Sequence, residues 1–295
     1  MSSPTITIGI PCRNGEQTLP LTLKSIYAQT FQDWELIIVN DGSTDGTAAI
    51  LNALDDPRVR VVHHADSARQ GVRFNEIIDL ARGVFIARMD ADDVMFPDRL
   101  DRQIDVLMSN PDADLLGGGV VMIDKNEVFH GIRVPPEQVT SPWQIFRGEV
   151  IYQPTIVART KWFRNNRYDA QFGLSEDYEL WVRATPHLTI MNLQEPVLFY
   201  RETSDVLTTK YWVYSKQSRR AMRMHGPSRI GTIPTQWLIL RRLAKDMVYR
   251  MFVALGLQTA ALQLRNTTLP EADKTKYAAI LDQIRAVQLP LKKTG

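Results

Sequence analysis

The feature that most constrains this chain is where its polar residues fall. Near the N-terminus, short apolar segments run one after another into turns built from Asp, Asn, Ser and Gly. Thr5–Ile10 reads as a strand, closed by Pro11-Cys12-Arg13-Asn14. Glu35–Asn40 reads as a second, ending at Asp41-Gly42-Ser43-Thr44-Asp45-Gly46, and Val59–His63 as a third. Val84–Met89 makes a fourth and runs directly into Asp90-Ala91-Asp92-Asp93. Between them, Leu19–Gln29 sets Leu19, Leu23, Ile26 and Tyr27 at helical spacing, and Thr44–Leu54 and Val72–Ala81 read as two further helices. Alternation with connections this short predicts βαβ units, hence an α/β fold with a mostly parallel central sheet flanked by helices. Ligands of open α/β sheets bind outside the carboxyl ends of the strands, where these polar turns gather.

Further along, a helix after Pro97 places Leu100, Ile104 and Leu107 on one face and ends near Asn110-Pro111. Leu115–Ile123, Ile151–Ala158 and Pro196–Tyr200 read as strands, and Asn126–Phe146 as loop-rich. From Tyr211 onward the sequence is helical and basic.

Charge divides the chain. The 295 residues carry a formal net charge of only +2, yet residues 206–295 hold 16 Lys+Arg against 4 Asp+Glu, so the excess of carboxylates lies in residues 1–205. The reading is therefore a ligand-binding domain over 1–205 and a basic helical region over 206–295 that meets a membrane or an acceptor. Cys12 is the single cysteine, which excludes an intrachain disulfide framework and a four-cysteine zinc site. The longest apolar run, Leu115–Ile123, has nine residues, three of them Gly, against the about 20 that a membrane span needs. Met1–Ile10 lacks the basic start of a signal peptide. The expectation is a cytoplasmic protein, free or peripheral on the inner face of the membrane.

Three carboxylates within Asp90-Ala91-Asp92-Asp93 repel one another unless donors or a cation compensate. A Mg²⁺ or Mn²⁺ bridging a diphosphate is one solution, because hard cations take oxygen ligands. A helix-capping Asp with solvated neighbours is the other. What favours the first is that three polar turns share one sheet edge.

That conjunction resembles the inverting family 2 glycosyltransferases of GT-A fold, whose sheet is Rossmann-like. The resemblance rests on Pro11-Cys12-Arg13-Asn14, on Leu23-Lys24-Ser25-Ile26-Tyr27-Ala28-Gln29, and on Val39-Asn40-Asp41-Gly42-Ser43-Thr44-Asp45. Gln70-Gly71 with Asn75, Ala81-Arg82-Gly83, Met89-Asp90-Ala91-Asp92-Asp93 and Glu176-Asp177-Tyr178-Glu179-Leu180-Trp181 follow in the family's order. It spans about Thr5 to Asp205. It implies a metal-dependent enzyme that moves a sugar from a nucleotide-diphosphate sugar, UDP-linked by preference, to a saccharide or lipid-linked acceptor. Surface polysaccharide or lipopolysaccharide synthesis is the implied setting.

The resemblance also implies roles. Pro11, Arg13, Asn14, Glu16, Asp41 and Ser43 would line the nucleotide pocket. Asp90 and Ala91 would meet the ribose or base, and Asp92 would ligate Mn²⁺ or Mg²⁺. Asp177 would be the general base, with capping of its own helix as the other reading. Glu176, Trp181 and Arg201 would meet acceptor or diphosphate; Trp181 reads equally as core and Arg201 as a surface ion pair with Glu202 or Asp205. Arg69 and Arg73, flanking Gly71, either contact phosphate or lie solvated at a helix start.

Two positions depart from the family pattern. Arg13 stands where an aromatic residue is common, and Thr203 where a late metal-binding His is common after Tyr200-Arg201. A nucleotidyltransferase or a non-catalytic, membrane-recruited sugar-nucleotide binder remain as alternatives, the first without a glycine-rich phosphate loop. In Trp237–Leu257, Leu240, Leu243, Ala244, Met247, Val248, Met251 and Leu255 share one helical face, with Arg241, Arg242, Lys245, Asp246 and Arg250 opposite. This is either an in-plane helix on anionic lipid or a helix packed on the core. No nucleic-acid recognition module is present, so no nucleic-acid partner is expected.

Overall fold

The computed structural model describes residues 3–148, 150–202, 207–257 and 266–292. Thr203 and the 205/206 boundary drawn from charge lie outside the described residues.

The strands β1 (Ile6–Cys12), β2 (Trp34–Asp41), β3 (Val59–His64) and β4 (Phe85–Arg88) pair in the order β3-β2-β1-β4, all parallel. Every residue of β1, β2 and β4 is buried, as expected of parallel strands covered on both faces. Helices α1 (Leu19–Tyr27), α2 (Thr47–Asn52) and α3 (Gln70–Leu80) make the crossovers. Pro11 does not close the first strand but lies inside it, paired in register with Val39.

Beyond β4 the sheet is mixed. It continues through β9 (Val157–Arg159), β6 (Leu115–Ile123), β10 (Ile190–Arg201) and β5 (Val94–Met95). β6 and β10 are parallel, while β9 runs antiparallel to both β4 and β6. Helix α4 (Arg99–Ser109) packs against this half through Leu100, Ile104 and Leu107 as predicted.

Two expectations are corrected here. The strand expected over Ile151–Ala158 is a 3-10 turn, Gln153–Thr155, followed by the short β9. Pro154 has no N–H for a ladder, and local bonds form instead, Thr155 N–H to Tyr152 O and Ile156 N–H to Gln153 O. Asn126–Phe146 is not loop-rich. It holds β7 (Phe129–Arg133) on β6, β8 (Gln138–Val139) on β10, and α5 (Pro142–Arg147), which opens with a capping box between Ser141 and Gln144.

The short α6 (Thr160–Asn165) and the 3-10 stretch Ala170–Ser175 lead into α7 (Glu176–Ala184), which carries the predicted base. Helices α8 (Leu207–Arg229) and α9 (Thr232–Ala254) form a hairpin whose α8 arm packs on α7 and the 3-10 stretch. The last helix, α10 (Glu271–Arg285), returns to the first half. Its Tyr277, Leu281 and Ile284 join Val94, Phe96, Val121, Ile123 and Phe199 in one apolar cluster, and Leu291 bridges Leu54. Leu269, Tyr277, Leu281 and Ile284 of the basic region thus lie in one core cluster with residues of the first half. No helix among the described residues is long and apolar enough to cross a membrane.

Candidate active site

Three turns meet at the carboxyl edge of β1, β2 and β4, and side chains lace them together. Asn14, with φ of 52°, turns the chain after β1; its N–H donates to Ser43 Oγ (3.0 Å) while its Oδ1 accepts from Thr44 N–H (2.9 Å). Glu16 Oε2 accepts from Gly46 N–H, and Asp45 Oδ2 accepts from Glu16 N–H. Ser43 and Glu16, predicted at the nucleotide, thus serve first to tie the first turn to the second. At the end of β2, Asp41 accepts from Ser67 Oγ, Ala68 N–H and Arg73 Nε. Burial works against its ionisation, but these donors hold its carboxyl below the usual range. Arg73 also donates to Asp66 O, so this guanidinium is spent on holding Asp41 and the following loop.

The turn after β4 is the acidic centre. Carboxylate oxygens of Asp90, Asp92 and Asp93 lie within 4.8 Å of one another. Asp92 is exposed, Asp90 partly so, and Asp93 is buried. Asp93 Oδ1 accepts from Arg201 N–H at 2.8 Å, whereas its Oδ2 is buried with no hydrogen-bond partner. Burial pushes the Asp93 carboxyl well above its usual range, and the charges of Asp92 and Asp90 add to the effect. An orphaned carboxylate oxygen within a set of three fits a hard divalent cation, Mg²⁺ or Mn²⁺. Arg201 braces the turn: its Nε donates to Asp92 O and its Nη1 to Asp124 O. It pairs with Glu127 rather than with Glu202, which Arg133 holds instead.

Asp177, at the start of α7, faces this centre. It lines a cavity of about 640 Å³ together with Pro11, Arg13, Asn14, Asp41, Arg73, Asp90, Ala91, Asp92 and Arg201. It also lines a neighbouring cavity of about 240 Å³ with Gln153, Tyr178, Trp181, Tyr200 and Tyr214. Burial raises its carboxyl above the usual range, against Tyr178 N–H and Arg88, which lower it.

The other predicted positions support the site from outside. Gly71 lets Glu176 approach α3: a Cβ there would stand 2.6 Å from Glu176 Oε2. Glu176 is buried, and burial pushes its carboxyl up to about 7. Asn75 holds the backbone of Tyr168 through both ends of its amide, and Arg69 donates to Ala170 O rather than standing free. Trp181 is buried in the core beside Trp162, though it borders the smaller cavity.

Sequence reasoning missed Arg88, which is sealed beneath the site and pairs with Asp90, and Gln70, whose Nε2 donates to Asp90 Oδ1. It also missed Gln153 and Tyr214. The signal for Arg88 was available: a cation inside an apolar strand, two residues before a carboxylate.

A mixed sheet that gathers its polar turns, a carboxylate trio and a facing carboxylate at one edge has the GT-A arrangement. The family described as Glycosyl transferase family 2 matches residues 7–170, and the chain belongs to it; it is a glycosyltransferase. The chain is 31% identical over 221 residues to the "Putative glycosyltransferase EpsE" of Bacillus subtilis (strain 168), covering 72% of this chain and 79% of that protein. It is 26% identical over 177 residues to the "UDP-Glc:alpha-D-GlcNAc-diphosphoundecaprenol beta-1,3-glucosyltransferase WfgD" of Escherichia coli, covering 60% of this chain and 68% of that one. Among solved structures, S. aureus TarS 1-349 in complex with UDP-GlcNAc shares the fold, with a TM-score of 0.63 at 17% identity over 96% of this chain and 82% of that one.

Proposed function

We propose that this glycosyltransferase inverts the anomeric centre of a UDP-linked sugar in one displacement, with a divalent cation and with Asp177 as base. The observation that carries the reading is the place of Asp177, which borders both the cavity holding the acidic turn and the smaller aromatic one. Donor in the first and acceptor in the second would meet at this carboxylate.

In that arrangement Asp41, Asn14 and Pro11 hold the nucleotide, and Asp92 with Asp90 and Asp93 would hold the cation. The cation supplies positive charge against the departing diphosphate. Asp177 takes the acceptor hydroxyl proton as that oxygen bonds to the anomeric carbon. The bond from that carbon to the diphosphate oxygen breaks in the same step, and its electron pair leaves with the nucleotide. Tyr178, Trp181, Tyr200 and Tyr214 around the smaller cavity suit a sugar, whose faces stack on aromatic rings. Relatives named for a lipid-diphosphate-linked acceptor and for teichuronic acid biosynthesis support a saccharide or lipid-linked acceptor in surface polysaccharide synthesis. Family membership sets the nucleotidyltransferase alternative aside.

A thermal-shift panel of UDP, GDP, dTDP and CMP, each with and without Mn²⁺, tests the reading. Stabilisation by UDP that needs Mn²⁺ is the expected result. No shift by any nucleotide under either condition overturns it.

A further inference from the structure

The packing of α9 is the reverse of what its composition suggests. The helix turns Thr235, Leu238, Ile239 and Asp246 inward against its neighbours, and the wide apolar face lies outward. Ile233 is 84% exposed, Leu240 65%, Met247 69% and Leu255 65%, and Trp237 and Met251 lie exposed on the same stripe. At about 100° per residue these positions form one band along the whole helix. Apolar side chains left in water contribute no burial to stability, so a contiguous exposed band of this kind marks a contact surface.

The charges beside the band say what kind. Arg241 and Lys245 border it on one side and Arg250 on the other, all exposed. Asp246 is the only acidic residue between 207 and 257, and it is buried, accepting from Tyr211, Ser215 and Arg219 on α8. Among the described residues the hairpin therefore presents to solvent apolar side chains and cations, and no carboxylate. A second copy laid on this band would bring cationic borders against each other, whereas a lipid surface rich in phosphate would neutralise them.

We propose that the α8–α9 hairpin docks on an anionic bilayer, with the outward face of α9 seated in the interfacial zone and Arg241, Lys245 and Arg250 on lipid phosphates. The hairpin is joined to the site by direct contacts. Tyr214 of α8 lines the cavity that also holds Asp177, and Trp237 of α9 packs on Trp143 of α5 with ring centroids 5.7 Å apart. Docking would bring the smaller cavity close to the lipid surface. The inference does not depend on sugar transfer, since lipid binding is read without the reaction.

The test is co-sedimentation of the full chain with vesicles of phosphatidylcholine alone and of phosphatidylcholine with phosphatidylglycerol, at low and high salt. The expected result is partitioning about tenfold stronger onto the anionic vesicles, weakened by salt. The double substitution Leu240→Glu with Met247→Glu should abolish it without altering the melting temperature, because both side chains already lie in water. Absence of binding to anionic vesicles overturns the proposal, as does binding that the double variant retains. A lipid-free dimer that the substitutions convert to monomer, with no vesicle binding, would assign the face to a second copy instead.

Discussion

Arg88 pairs with Asp90 from below the sheet edge, Nη1 to Oδ1 at 2.8 Å, with its own side chain 1% exposed against 22% for its partner. The cation is also within electrostatic reach of Glu176 and Asp177, which come from a different element more than eighty positions along the chain. One buried guanidinium therefore balances carboxylates from two separate elements that line the same cavity.

Removing that cation leaves Asp90 and its neighbours uncompensated. Arg88→Met should cost about 2–4 kcal/mol of stability, since breaking a buried pair from one side strands the other charge. Denaturant unfolding measures it, and a loss under about 0.5 kcal/mol would refute the account. Arg88→Lys, which keeps the charge, should recover part of the loss.

Asp92 is exposed at the tip of the acidic turn, so truncating it should cost the fold little. Asp92→Ala should lower turnover by at least about 10²-fold. Its melting temperature without nucleotide should stay within about 2 °C of the parent. Calorimetric titration of Mn²⁺ with UDP present provides a second readout, expected to show binding in the parent and none in the variant.

For Asp177, the raised carboxyl pKa fixes the direction of the pH response. A base is inactive when protonated, so kcat/KM should fall on the acid side at a pH above the ordinary value of 3.8. Asp177→Asn should reduce kcat by about 10²–10⁴-fold while donor affinity stays within about twofold. An acid limb at the ordinary carboxylate value, or a fully active Asn variant, would assign the proton transfer elsewhere.

Glu176 couples the site to stability. Its folded pKa of about 7 lies above the ordinary 4.5, so between those values the folded chain binds more protons than the unfolded one. The contribution is complete below about 4.5 and is lost as pH rises toward about 7. Glu176→Gln removes the titration. Its stability relative to the parent should therefore increase by up to about 3 kcal/mol from acidic to mildly alkaline pH. Unfolding curves at pH values on either side of this window decide the matter; a constant difference would contradict the assignment.

What could be read from residues alone was the part governed by local pattern. The first four strands and the turns closing them follow from apolar runs and from Asp-Gly and Asp-Ala-Asp-Asp punctuation, and those turns are the edge of the site. Ile151–Ala158 misled because its β-branched residues outvoted Pro154, which forces a local turn. In sequence Arg73 reads as a phosphate contact or a solvated cation and Arg201 as a diphosphate contact or a surface ion pair; only the tertiary structure supplies Asp41 to the first and the backbone of Asp92 to the second. The amphipathic pattern of α9 gave the correct stripe but not its direction. Which face points inward depends on Tyr211, Ser215 and Arg219 of α8, brought into contact with Asp246 by the hairpin turn.

The return of α10 has a consequence for how this protein is made. Tyr277, Leu281 and Ile284 close the apolar cluster that holds Val94 and Phe96, the residues immediately behind Asp93. A chain that emerges from the ribosome N-terminus first exposes those side chains for most of its synthesis. The floor beneath the acidic turn is therefore complete only once α10 has been made and has docked.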